Sequence, residues 1–149
     1  MSSLVEKLPL PKERERILDD CVKLLEQEVK SKGGLSGMAV KAGYKVLKSL
    51  SPNAARMAVD DMLDEFLEAL EPFHNDYLKT KKGTFGSYME SRSEPVAEAL
   101  IGVTDRRARS TKHRVLENMY NKLRSSAVHH VTQAVPGLAG LIDRYYIEK

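Results

Sequence analysis

Apolar residues along this chain return at helical intervals, and they nowhere alternate as a strand requires. Ile17, Leu18, Cys21, Leu25 and Val29 recur three or four positions apart, the spacing that lays side chains along one face of an α-helix. The same interval links Val59, Met62, Leu63, Phe66, Leu67 and Leu70, and again Val115, Leu116, Met119, Tyr120 and Leu123. No segment combines sustained period-two alternation with β-branched residues, so no strand is expected. The fold class that follows is all-α: a compact bundle of about six to eight helices without a β-sheet.

Glycine, proline and serine divide the periodic stretches. The first helix is expected from Pro11 to a stop at Gly33-Gly34, and the second from a Ser36 cap to Leu50. Ser51-Pro52 reads as a cap and first-turn proline for a third helix that ends before Pro72. A short helix over 72–81 follows, and residues 85–92 add a turn or two. Ser93-Glu94-Pro95 opens a helix reaching Arg109, and Ser110 or Thr111 caps the next. Ser125 and Pro136 mark two final starts. Residues 1–10 read as a flexible N-terminal segment before a single helical domain over 11–149, a length that suits one core. Tryptophan is absent and only 3 phenylalanines occur, so that core must be aliphatic.

The stretch KSKGGLSGMAVKAGYKVLKSL, residues 30–50, raises the question of phosphate binding. A P-loop places its lysine directly after the second glycine of G-x-x-x-x-G, between a strand and a helix. Here five residues separate Gly37 from Gly43, Tyr44 stands where that lysine would be, and a helix precedes. Gly34-Leu35-Ser36-Gly37 fails as a nucleophile elbow for the same lack of a strand. A weaker site remains at the helix N-terminus, where Ser36 and Gly37 would present free N–H groups to an anion. Lys41, Lys45 and Lys48 form one stripe, opposite Ala39, Val40, Gly43, Val46, Leu47 and Leu50. Gly43 therefore lies within the buried face, where a bare backbone lets a second helix cross closely.

Charge is segregated although the net value is only +3. Residues 60–76 are acidic, and Arg106, Arg107, Arg109, Lys112 and Arg114 make a basic run. Lys112 and Arg114 would stand at a helix start, where cations oppose the dipole by about 0.3–1 kcal/mol each. Such a cost invites a phosphate or an acidic partner, and the simplest partner is the acidic helix of this same chain. Asp60-Asp61-Met62-Leu63-Asp64 spells D-D-x-x-D, an Mg²⁺–diphosphate motif of all-helical prenyl synthases. Those carboxylates lie opposite the apolar stripe and the chain shows no second aspartate-rich motif, so they are only a weak metal candidate.

Little else argues for catalysis. His74, His113, His129 and His130 lack zinc-ligand spacing, and His113 with Glu117 reads as a surface pair. Cys21 sits on an apolar stripe and has no disulfide partner. Lys79, Lys81 and Lys82 precede Gly83-Thr84-Phe85-Gly86, a GxxG that lacks the sheet of a KH clamp. No catalytic constellation and no cofactor site emerge, and no apolar run approaches the ~20 residues of a membrane span. The charged N-terminus does not suit a signal peptide, which favours the cytoplasm.

Gly34-Leu35-Ser36-Gly37-Met38-Ala39-Val40-Lys41, with Tyr44-Lys45 and Ser51-Pro52, resembles a small family of bacterial proteins of unknown function. Leu70-Glu71-Pro72, Val103-Thr104-Asp105 and Lys122-Leu123-Arg124 extend that resemblance. It implies a compact helical domain and supplies no activity, cofactor or catalytic residue. The functional expectation is a non-enzymatic domain that binds another protein or a copy of itself. Anion or nucleic-acid binding through the two basic segments is the alternative.

Overall fold

A computed structural model describes residues 3–147, and among them all regular structure is helical. In chain order the helices are α1 (Leu4–Lys7), α2 (Leu10–Ser31), α3 (Gly34–Leu50), α4 (Ala54–Thr80), α5 (Phe85–Glu90), α6 (Ser93–Ser110) and α7 (Arg114–Tyr145). No strand accompanies them among the described residues, as the periodicity predicts. The aliphatic stripes meet in one core that includes Leu18, Leu63, Leu67, Leu70, Val96 and Ile142.

Two prolines depart from the expected boundaries. Pro72 lies inside α4 and Pro136 inside α7, and neither ends its helix. A proline lacks the N–H that would satisfy the carbonyl four residues earlier. Pro72 and Glu68 are exposed, so the missing hydrogen bond falls on the solvent side of the helix. The buried stripe Leu63, Leu67, Leu70, His74 and Tyr77 continues through that point and holds the helix together. Val135 and Ala139, both buried, flank exposed Pro136 in the same way. Ser125 likewise lies within α7 and starts nothing. The result is a helix of 32 residues, about 48 Å long, which packs against α2, α3, α5 and α6.

The expected caps also shift. Helix α3 begins at Gly34 after a Gly33 cap, so Ser36 falls inside its first turn. Gly34 takes a positive φ of 71°, which is open to glycine at little cost. Helix α4 starts at Ala54 after Asn53, and Ser51 Oγ accepts the Asn53 N–H. His113, not Ser110 or Thr111, is the N-cap of α7. Gly43 performs the expected close crossing: a Cβ there would stand 3.1 Å from Leu123 and 3.6 Å from Met119 of α7.

Residues 3–10, expected as part of a flexible segment, instead dock on the bundle; residues 1–2 lie outside those described. Ser3 and Glu6 form a capping box on α1, and Leu4 is completely buried. The Leu4 N–H donates to both carboxylate oxygens of Glu71 at 3.1 Å. Leu8 and Leu10 join the core, and the Ile147 N–H donates to the Lys7 carbonyl at 2.7 Å. Three apolar side chains within seven residues explain the docking, since burying each stabilises by about 1.5–3 kcal/mol.

Candidate functional site

Helices α2, α4, α6 and α7 border a half-open cavity of about 290 Å³. Ile17, Cys21, Leu24 and Glu28 line it from α2, and Leu63, Phe66 and Leu67 from α4. Ile101 and Thr104 close it from α6; Val131, Ala134, Leu138 and Tyr145 do so from α7. The lining on α2 runs from Leu10 to Glu28, about 27 Å along the helix axis at 1.5 Å per residue. The space is therefore elongated. It is almost wholly apolar because every contributing helix turns its hydrophobic stripe inward.

Two polar clusters flank the cavity, and of their members only Tyr145 and Glu28 line it. At one, the Tyr145 hydroxyl donates to Asp20 Oδ2 at 2.5 Å, and burial with that contact pushes the phenol up to about 12. At the other, Lys32 is buried and its Nζ donates to Glu28 Oε1 at 2.9 Å and to Gln133 Oε1 at 3.2 Å. His130 lies beside this pair, and burial, then Lys32 and His129, hold its imidazole below the ordinary value. Neither ring nitrogen of His130 has a hydrogen-bond partner, although both atoms are buried. Cys21 faces the cavity with its thiol pushed up to about 11, chiefly by burial. A thiol with that value stays protonated at neutral pH and is a poor nucleophile.

The residues singled out from the sequence lie elsewhere. Lys41, Lys45 and Lys48 are exposed along α3 as their spacing predicts; Lys48 approaches Glu26 at 4.0 Å and stands over the Tyr44 ring. Gly37 is buried, and a Cβ on it would lie 2.7 Å from the Lys32 carbonyl carbon. Its N–H already donates to Gly33. Gly37 thus serves close packing of the α2–α3 reversal, and its N–H is not free for an anion.

Arg107 reaches the acidic face of α4, donating to Glu65 at 2.5 Å and to the Asp61 carbonyl at 2.8 Å. Arg106, Arg109, Lys112 and Arg114 are exposed. Asp60 and Asp64 receive Arg14 of α2, at 2.8 and 3.6 Å. The cation at this D-D-x-x-D face is a guanidinium of the same chain. Among the described residues, no three His, Cys, Asp or Glu side chains converge as metal ligands.

The sequence pattern places Ile17, Cys21, Leu63, Phe66 and Leu67 on inward stripes, but not Leu24, Ile101, Thr104, Val131 or Ala134, and it does not show the space between them. Stripe periodicity tells which side chains face inward but not whether they meet.

The described residues include no helix long and apolar enough to cross a membrane. No curated protein and no solved structure matches the chain. A family match extends over residues 4–146, nearly the whole bundle, and by it the chain belongs to DUF6918, a family of unknown function.

Proposed function

We propose that this protein acts by binding, and that its ligand is a slender apolar molecule held between α2, α4, α6 and α7. The cavity carries this reading. Apolar lining left open to solvent is a cost of about 25 cal/mol for each Å² exposed, and this cleft is about half open. A domain of this kind has only about 5–15 kcal/mol of total stability. A bound molecule removes that burden. An apolar cavity of about 150 Å³ accepts benzene, so one about twice that size suits roughly ten to twelve non-hydrogen atoms in a line.

Surface area points the same way. A monomer of this mass is expected to expose about 7,600 Å², whereas this chain exposes 8952 Å². The excess is consistent with apolar side chains that have no partner inside the chain. Native mass spectrometry of the protein isolated from cells tests the proposal, together with titration of an apolar fluorophore. A non-covalent adduct, or saturable probe uptake, is expected. Absence of both in the folded protein refutes it.

A protein partner is the second reading, and one observation favours it. Leu35 is 87 % exposed and Met38 66 % exposed, adjacent on the N-terminal turns of α3. The lysine stripe carries no reading of its own, because exposed lysines are the ordinary covering of a helix's solvent face.

A further inference from the structure

The C-terminal end of α4 and the residues leading from α5 into α6 border a second cleft, open and polar, of about 540 Å³. It shares no lining residue with the apolar cavity. Lys79, Lys82 and Arg92 line it, against one carboxylate, Asp76. Lys79 has a structural use, since it reaches Asp76 at 3.4 Å and complements the negative end of the α4 dipole. Lys82 and Arg92 have none of this kind: among the described residues neither forms an ion pair. The Arg92 guanidinium is nevertheless held in place. It lies 4.1 Å over the Tyr88 ring and donates one N–H to Ser91 Oγ at 2.9 Å, which leaves the rest of its fork to an incoming acceptor.

The loop that carries Lys82 is tied down as well. The Gly83 carbonyl accepts the Tyr77 hydroxyl at 2.9 Å, and the Gly86 N–H donates to Asp143 Oδ1 at 2.8 Å. Thr84 and Ser87 cap α5 reciprocally. The GxxG backbone is thus committed to the fold, and the cations beside it are not. Independently of the apolar cavity, we propose that this cleft binds the phosphate monoester of a small molecule. Its volume falls within the range of about 300–1,000 Å³ usual for small-molecule sites. Three cations facing one carboxylate suit a dianion, and a phosphate monoester carries about −1.5 to −2 near pH 7. A fixed guanidinium fork matches phosphate oxygens in pairs, lysine adds a mobile point charge, and the Thr80 hydroxyl on the same lining adds a neutral donor.

The test titrates inorganic phosphate, glycerol 1-phosphate and acetate into the ¹⁵N-labelled full chain at low ionic strength and follows the amide shifts. Saturating shifts confined to the segment 76–92 are expected for both phosphates, with acetate about tenfold weaker because it brings one charge. Arg92 and Lys82 are exposed, so Arg92→Gln and Lys82→Gln should fold as wild type. Each should weaken glycerol 1-phosphate by about tenfold through the loss of a charge-assisted hydrogen bond. Arg92→Lys should recover only part of that loss, since an ammonium keeps the charge without the fork. Lys41→Gln removes an equal charge from the exposed face of α3 and should change nothing. Shifts that fail to saturate, or that follow lysines over the whole surface, mean an adventitious ion only and overturn the proposal. Equal affinity for acetate, or Arg92→Gln binding as wild type does, overturns it too.

Discussion

Replacing Ala134 by leucine turns the proposed cavity into a question of sign. Ala134 lines the space from α7, and leucine adds three carbons, each worth about 0.8 kcal/mol when buried. Lost rotamer freedom subtracts about 0.5–1 kcal/mol, leaving a net gain of about 1.5 kcal/mol. For a domain of this size each kcal/mol moves the melting temperature by about 2–4 °C, so a rise of about 3–6 °C is expected. Ala97 supplies the control, since it is completely buried and does not line the cavity. Leucine there overpacks a filled site and should cost about 1–3 kcal/mol. Calorimetry of the two variants reads both signs, and the apolar fluorophore should lose affinity only for Ala134→Leu. A lower melting temperature for Ala134→Leu, matching that of Ala97→Leu, would falsify the premise that α7 borders open space.

Gly37→Ala should destabilise by about 1–3 kcal/mol in urea titration, because the new methyl meets the Lys32 backbone at 2.7 Å; an unchanged midpoint would remove the close-packing role. Asp105 is held below the usual carboxylate range, first by the Tyr120 hydroxyl and then by Arg124. Its folded value is depressed, so its contribution is complete above the model-peptide range near pH 4 and disappears as pH falls through the folded value. Tyr120→Phe should therefore flatten the acid limb of the stability profile below about pH 4, and parallel acid limbs for variant and wild type would contradict this. If α3 docks a second copy or a protein partner, Leu35→Glu with Met38→Glu should reduce the mass seen in light scattering or abolish a pull-down; a wild-type monomer that captures nothing ends that reading.

Much of the architecture was legible because it rests on periodicity. The stripes on α2 and α4, the start of α6 at Ser93 and the close crossing at Gly43 all follow from local spacing. Pro72 and Pro136 misled because proline is a local signal, and tertiary packing on both sides of each overrides it. The N-terminal segment misled for a related reason. Its charge is conspicuous in sequence, whereas Leu4, Leu8 and Leu10 find their neighbours only through Glu71 and the end of α7. The basic run was legible as charge but not as partnership, since only the fold reveals that Arg107 meets Glu65. The cavity was invisible because it is a relation among four helices.

One compositional fact nonetheless connects to it. A chain with no tryptophan and only 3 phenylalanines must fill the space between long helices with Leu, Val, Ala and Met. The helices are meanwhile tied at their outer edges: Arg14 to Asp60, Arg56 to Glu15 and Asp19, Arg107 to Glu65. Asp20 and Gln133 make corresponding ties between α2 and α7. Each exposed ion pair contributes only about 0–1 kcal/mol, so together these ties register the helices without filling the apolar space between them. That space is removed from water either by helices closing on one another or by a guest. Collapse would have to break the Lys32–Gln133 and Tyr145–Asp20 contacts that space α2 from α7. Occupation keeps them.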